Sequence, residues 1–164
     1  MVVENAMNKV VEFTDANSND YIKAYAATNA GTIDGRGLSG FELIQGSTGN
    51  DFIYAGDSGS QLWGGTGTAS DLLVGGSGSD VFIGGKNQGA DVFSNAETKD
   101  EVHLNDASLS DIIATAEQNG LIAISFNNGN SVAVRSTEAL SAAVILADGS
   151  KYRFNHATRN WQTA

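Results

Sequence analysis

GSTGNDFIY (Gly46–Tyr54) and GGSGSDVFI (Gly75–Ile83) follow one pattern: six small or polar residues closed by an aspartate, then three residues with a large apolar one at the centre. Glycine tolerates positive φ and close backbone approach where a Cβ would clash, so the first six residues reverse the chain. The last three are extended, and strand alternation sends the central side chain inward and its neighbours outward. Each unit is therefore a turn followed by a very short strand.

Outward from these copies, inward apolar positions recur at Ile33, Ile44, Ile53, Leu62, Leu73, Phe82 and Val92. GGTGTASDLLV from Gly64 is a copy with two extra residues, and GGKNQGADVF from Gly84 is an irregular one. In AGDSGSQLW, Leu62 keeps the inward place while Ser60 stands where the aspartate belongs. Two units make one coil of about 18 residues, with parallel strands on two facing sheets. Ile33, Ile53, Leu73 and Val92 then line one sheet, and Ile44, Leu62 and Phe82 the other. Loops from every second unit stack, bringing Asp51, Asp71 and Asp91 to one side. The Gly56–Ser60 turn and the loop of Asp80 come to the other.

Composition sharpens the reading. Of the 20 glycines, 17 lie between Gly31 and Gly89, and no lysine or arginine occurs between Arg36 and Lys86. Glu42, Asp51, Asp57, Asp71 and Asp80 fall in that cation-free stretch, so they must be solvated, protonated or bound to a cation. A net charge of -10 argues against nucleic acid and anionic membranes as partners. The absence of cysteine excludes disulfides and thiolate metal sites. No apolar run is long enough for a membrane span.

The repeats resemble the RTX (repeats-in-toxin) nonapeptide, a calcium-binding repeat of parallel β-rolls. The resemblance implies Ca²⁺ as cofactor, a hard cation that takes about 6–8 oxygen ligands. It implies charge from Asp51, Asp71, Asp80 and Asp91. It also implies carbonyls from the first and third loop positions: Gly46 and Thr48, Gly64 and Thr66, Gly75 and Ser77. Roughly one to three ions are expected, with the Gly56 loop the weakest site.

Three other motifs have simpler readings. Gly56-Asp57-Ser58-Gly59 looks like the nucleophile segment of chymotrypsin-like serine proteases. A serine nucleophile needs a base held by a third group, however, and both histidines, His103 and His156, lie outside the repeats. GRGLSG (Gly35–Gly40) matches a dinucleotide fingerprint but is followed by a short, glycine-broken segment in place of a helix. DANSND (Asp15–Asp20) begins like an EF-hand loop but has Asp20 and Ala26 where glycine and glutamate are needed, and reads as a polar turn.

The expected fold is all-β: a short parallel β-roll at 31–94, N-terminal capping strands at 1–30, and a C-terminal antiparallel meander at 95–164. KVVEFT and YIKAYAAT supply the first cap. EVHL, DIIATA, LIAISF, SVAVRS, AAVIL and KYRF supply the strands of the tail, with turns at Asn119-Gly120, Asn127–Asn130 and Asp148-Gly149. STEALSAA reads as a strand lead-in or one helical turn. Tyr152, Phe154 and Trp161 are available to cover the core.

MVVENAMNKV lacks the basic start and apolar stretch of a secretory signal. In the resembling family, repeats precede a C-terminal export signal read by the type I secretion machinery. The implied role is a calcium-binding, non-catalytic module of a secreted protein, extracellular or on the cell surface, that folds on binding calcium. The alternatives are a surface adhesin or surface-layer module contacting a glycan or neighbouring protein, and an accessory module of a secreted enzyme.

Overall fold

A computed structural model describes residues 31–38, 40 and 42–164, together with the backbone of segments 2–4, 10–12 and 21–25. The chain folds as a parallel β-roll. Its strands are β1 (Val2–Glu4), β2 (Val10–Glu12), β3 (Tyr21–Tyr25), β4 (Gly31–Asp34), β5 (Glu42–Gln45), β6 (Asp51–Tyr54), β7 (Ser60–Trp63), β8 (Leu72–Val74), β9 (Val81–Gly84), β10 (Ala90–Ser94) and β11 (Glu101–Leu104). Odd-numbered strands pair in parallel in one sheet and even-numbered strands in the other. The segments read as strands at 10–12 and 21–25 take their places in that alternation, while Asp15–Asp20 lies outside the described residues.

The inward ladders differ from expectation at one rung. Ile33, Ile53 and Leu73 pair in register with Phe93, and Val92 falls beside Leu72 on the outer face. Ile44, Leu62, Phe82 and Val102 form the opposite ladder. The Gly84 unit carries the same two extra residues as the Gly64 unit, so units of nine and eleven alternate there. The coil repeats at 20 residues through β4, β6, β8 and β10 and from β7 to β11, while the expected spacing of 18 holds from β5 to β7, where Ile44 pairs with Leu62. Phe93 stacks on Phe82 across the sheets with ring centroids 5.5 Å apart. Gly84 lies under its ring, where a Cβ would approach Phe93 Cζ to 2.5 Å.

The tail grows from the open ends of both sheets. EVHL is β11, which pairs in parallel with β9 and continues the roll. The remaining strands are β12 (Ile112–Gln118), β13 (Leu121–Phe126), β14 (Ser131–Arg135), β15 (Ala143–Leu146), β16 (Lys151–Asn155) and β17 (Asn160–Thr163). β14 joins β10 in parallel and is followed outward by antiparallel β13 and β12. β15 joins β11 in parallel and leads to antiparallel β16 and β17. Asn119 and Gly120 both have positive φ, as the two-residue hairpin between Gln118 and Leu121 requires.

Residues 136–143 form no helical turn. Ser141 donates its amide to the Phe154 carbonyl at 2.9 Å and accepts the Phe154 amide on its hydroxyl at 2.8 Å, which holds the segment extended beside β16. Phe154 is buried, and Trp161 packs on it edge-to-face at 5.4 Å. Tyr152 and Trp161 cover the end of the core as expected.

The shifted rung has a measurable consequence. Truncating a buried phenylalanine costs about 3–5 kcal/mol, so Phe93→Ala lowers stability by that order in urea unfolding at fixed calcium. Val92→Ala, on the outer face, costs roughly 1 kcal/mol or less. Equal losses would restore Val92 to the inward ladder.

Candidate metal centre

Every aspartate that closes a loop is buried, with Asp51, Asp71, Asp80 and Asp91 each at 6% exposure or less. The backbone determines how these side chains are used. Asp51 accepts the Gly31 amide on Oδ1 at 2.9 Å and the Ser47 amide on Oδ2 at 2.6 Å. The Asp51 amide donates to Asp71 Oδ1 at 2.8 Å, and the Asp71 amide to Asp91 Oδ1 at 3.1 Å. On the other side the Ser60 amide donates to Asp80 Oδ1 at 2.7 Å, and the Asp80 amide to Asp100 Oδ1 at 2.9 Å. Two columns result, each carboxylate tying its own loop to the turn 20 residues earlier.

The loop glycines make room for these carboxylates. A Cβ on Gly46, Gly64 or Gly75 would come within 2.6, 2.0 or 2.7 Å of the Oδ2 of Asp51, Asp71 or Asp80, respectively. Those first-position glycines are buried, whereas Thr48, Thr66 and Ser77 at the third position are exposed. The ten residues named from sequence thus fall into stacked loops: 46–51, 64–71 and 84–91 on one side, and 75–80 on the other.

The family model of the RTX calcium-binding nonapeptide repeat (4 copies) matches residues 36–70 and 63–94. The chain carries RTX calcium-binding repeats. The match covers β5 through β10, and no curated protein or solved structure matches the chain.

Two positions of the carboxylate columns, Asp100 and Asp106, escape a reading of the sequence. Asp100 closes NAETKD (Asn95–Asp100), a unit without glycine, and is buried with its Oδ2 accepting the Glu97 amide at 2.7 Å. The signal that could have found it is spacing, because Asp100 lies one coil of 20 residues beyond Asp80. Asp106 accepts the Lys86 and Asn87 amides at 2.7 and 3.1 Å and extends the Asp91 side by a further turn. At the degenerate Gly56 loop, Ser60 is buried and its hydroxyl donates to Glu42 Oε2 at 3.3 Å, while exposed Asp57 accepts the amide and hydroxyl of Ser77.

The donor set fits a hard cation on the Asp51 side. Among the described residues no three acidic or histidine side chains converge, so a cation on this side would need much of its coordination from loop carbonyls, which Ca²⁺ accepts. Electrostatics make the same demand. Burial, reinforced by the Asp51 charge, pushes the Asp71 carboxyl up to about 6. Burial and the Asp71 charge push Asp91 up to about 7. Asp80 reaches about 7 through burial and the charge of Asp100, and burial also raises Asp51 and Asp100.

These raised values fix a pH dependence for the chelated protein. A carboxyl whose folded pKa lies above its unfolded value stabilises fully below the unfolded value, near 4, and that stability is lost as pH rises through the folded value. One pKa unit is about 1.4 kcal/mol, and each kcal/mol moves the melting midpoint of a chain this size by about 2–4 °C. In excess chelator the midpoint is therefore higher at pH 5 than at pH 8 by roughly 5 °C or more. A midpoint that rises toward pH 8 contradicts the buried, uncompensated state of the columns.

Proposed function

We propose that this chain is a calcium-binding, non-catalytic module of a secreted protein, ordered by metal after export through a type I route. The observation that carries the reading is the column of Asp51, Asp71 and Asp91. All three carboxylates are buried, and among the described residues no lysine or arginine pairs with any of them. Lys86, in the loop that leads to Asp91, pairs with Asp111 at 2.9 Å.

Asp51, Asp71 and Asp91, with the carbonyls of Gly46, Thr48, Gly64 and Thr66, are the residues that hold the ion. When bound, calcium supplies the positive charge this column lacks and the demand for many oxygens that glycine loops meet. Without that charge the carboxylates repel, and strands of three to five residues do little to offset the entropy of ordering the loops between them. Folding of the roll is then linked to metal binding. A loosely ordered chain suits export, and calcium-rich extracellular surroundings suit the folded form.

Catalysis finds no support in the chain's polar side chains. Ser58 is an exposed turn residue. His103 hydrogen-bonds Glu101 at 2.9 Å, and His156 lies 3.7 Å from Glu117 and packs on Phe154. Tyr152 and Trp161, the tail aromatics that an adhesin would turn toward a sugar, pack against the core.

Circular dichroism and thermal melting, with calcium titrated against a chelator, test the proposal. At 100 times the dissociation constant a single site adds about 2.7 kcal/mol, which raises the midpoint by roughly 5–10 °C. Asp71→Asn removes half or more of that rise, and Ser58→Ala leaves it intact. An unchanged β signal and midpoint on chelation refutes the calcium reading.

A further inference from the structure

The two sides of the roll differ in where their positive charge and hydrogen-bond donors come from. Asn95 occupies the first position of the unit that ends at Asp100, directly over the Gly75 loop, and it adopts the left-handed conformation with φ at 57°. Its carboxamide Nδ2 donates to the carbonyls of Gly75 at 3.0 Å and Gly76 at 3.1 Å. The Gly75 carbonyl is one of those that the repeat pattern assigns to calcium. An N–H donor on that oxygen competes with a cation for the same lone pairs.

Further positive charge comes from Lys99, one residue before Asp100. Its exposed ammonium pairs with Glu97, and its charge offsets part of the burial that raises the Asp80 and Asp100 carboxyls. The tail braces the same loop. Arg153 donates to the Thr98 carbonyl and, at 2.9 Å, to the Ser141 carbonyl, while the Thr98 hydroxyl donates to the Leu140 carbonyl at 2.9 Å. The Ala143 amide donates to the Asp100 carbonyl at 3.0 Å. Toward the N-terminus, the loop that stacks on Gly75–Asp80 offers buried Ser60 in place of a carboxylate. On the other side the carboxamides of Asn128 and Asn130 donate to the Lys86 carbonyl at 2.5 and 2.7 Å, in the loop of Asp91, but among the described residues no lysine or arginine acts on Asp51, Asp71 or Asp91.

We infer that the Asp80 side of this roll takes no calcium: Asn95 and Lys99 replace the ion with a carboxamide and an ammonium of the chain itself, and calcium is confined to the Asp51–Asp71–Asp91 side. This rests on the calcium reading of the repeats and narrows it. The Asp80–Asp100 pair becomes a permanent joint between roll and tail, present whether or not metal is.

Isothermal titration of the full chain with calcium chloride, read as ions bound per chain, tests the assignment. Asp71→Asn lowers that number, whereas Asp80→Asn, which keeps an Oδ1 acceptor for the Ser60 amide, leaves it unchanged. The double variant Asn95→Asp/Lys99→Gln, from which the donor and the ammonium are both gone, binds one ion more than the parent. Loss of an ion in Asp80→Asn overturns the inference, as does a double variant that gains none, with near-UV circular dichroism confirming that each variant is folded. A parent chain that takes up no calcium defeats the underlying calcium reading as well, so the two failures are told apart by the parent titration.

Discussion

The roll depends on one interaction, the buried carboxylate that accepts a backbone amide from the turn 20 residues before it. A buried carboxylate without hydrogen-bond donors is far too costly to keep, and a buried amide without an acceptor is costly as well. Placing an aspartate at the end of each loop satisfies both at once. Asp51 receives Gly31, Asp71 receives Asp51, and Asp91 receives Asp71, each at 2.8–3.1 Å. The glycines follow from the aspartates, because a Cβ on Gly64 would sit 2.0 Å from Asp71 Oδ2. The turn is glycine-rich since the carboxylate occupies the space a side chain would need.

Between the columns the core is one side chain deep on each sheet. Such a stack has no lateral core to close its last rung, so something must cover the exposed end. The tail does this by continuing both sheets with one parallel strand each, β14 on β10 and β15 on β11, before turning antiparallel. Ile122, Ile124, Phe126, Val144 and Phe154 extend the two inward ladders and are all buried. The change to antiparallel pairing allows short turns where a parallel coil needs a full loop and a second sheet. The same segment also braces the Thr98 turn through Arg153, so roll and tail share hydrogen bonds as well as core.

The roll is legible because its pattern is a steric rule repeated: glycine before a buried carboxylate, then an apolar side chain inside. That rule places Ile53, Leu73 and Phe82 correctly from residues alone. It misses where the rule is satisfied by other residue types. Asp100 has no glycine before it because Asn95 adopts the left-handed conformation and the tail supplies the bracing, so only its distance of 20 residues from Asp80 betrays it. Phe93 is missed for a geometric reason: the inward position is the second residue after the aspartate in every unit, whatever its loop length, so Val92, the first apolar residue after Asp91, faces out. The carbonyls that would face an ion are not encoded by side-chain identity at all, so candidate ligands could be named from the pattern while Asn95's hold on Gly75 could not.

Charge gives the two halves of the structure different kinds of permanence. The chain has no lysine or arginine from 37 to 85, whereas Lys86, Lys99, Lys151 and Arg153 all act at or beyond the last turns, each with a carboxylate or carbonyl partner. Cations fixed in the sequence cannot be withdrawn, while a bound metal can. The Asp80–Asp100 joint therefore keeps the hydrogen bonds of Asn95 and Arg153 in any medium, and the charge of the Asp51–Asp71–Asp91 column is balanced only where a cation is supplied. The tail end is thus the part of the roll that the chain itself braces, through Arg153 on the Ser141 carbonyl and Asn95 on the Gly75 carbonyl.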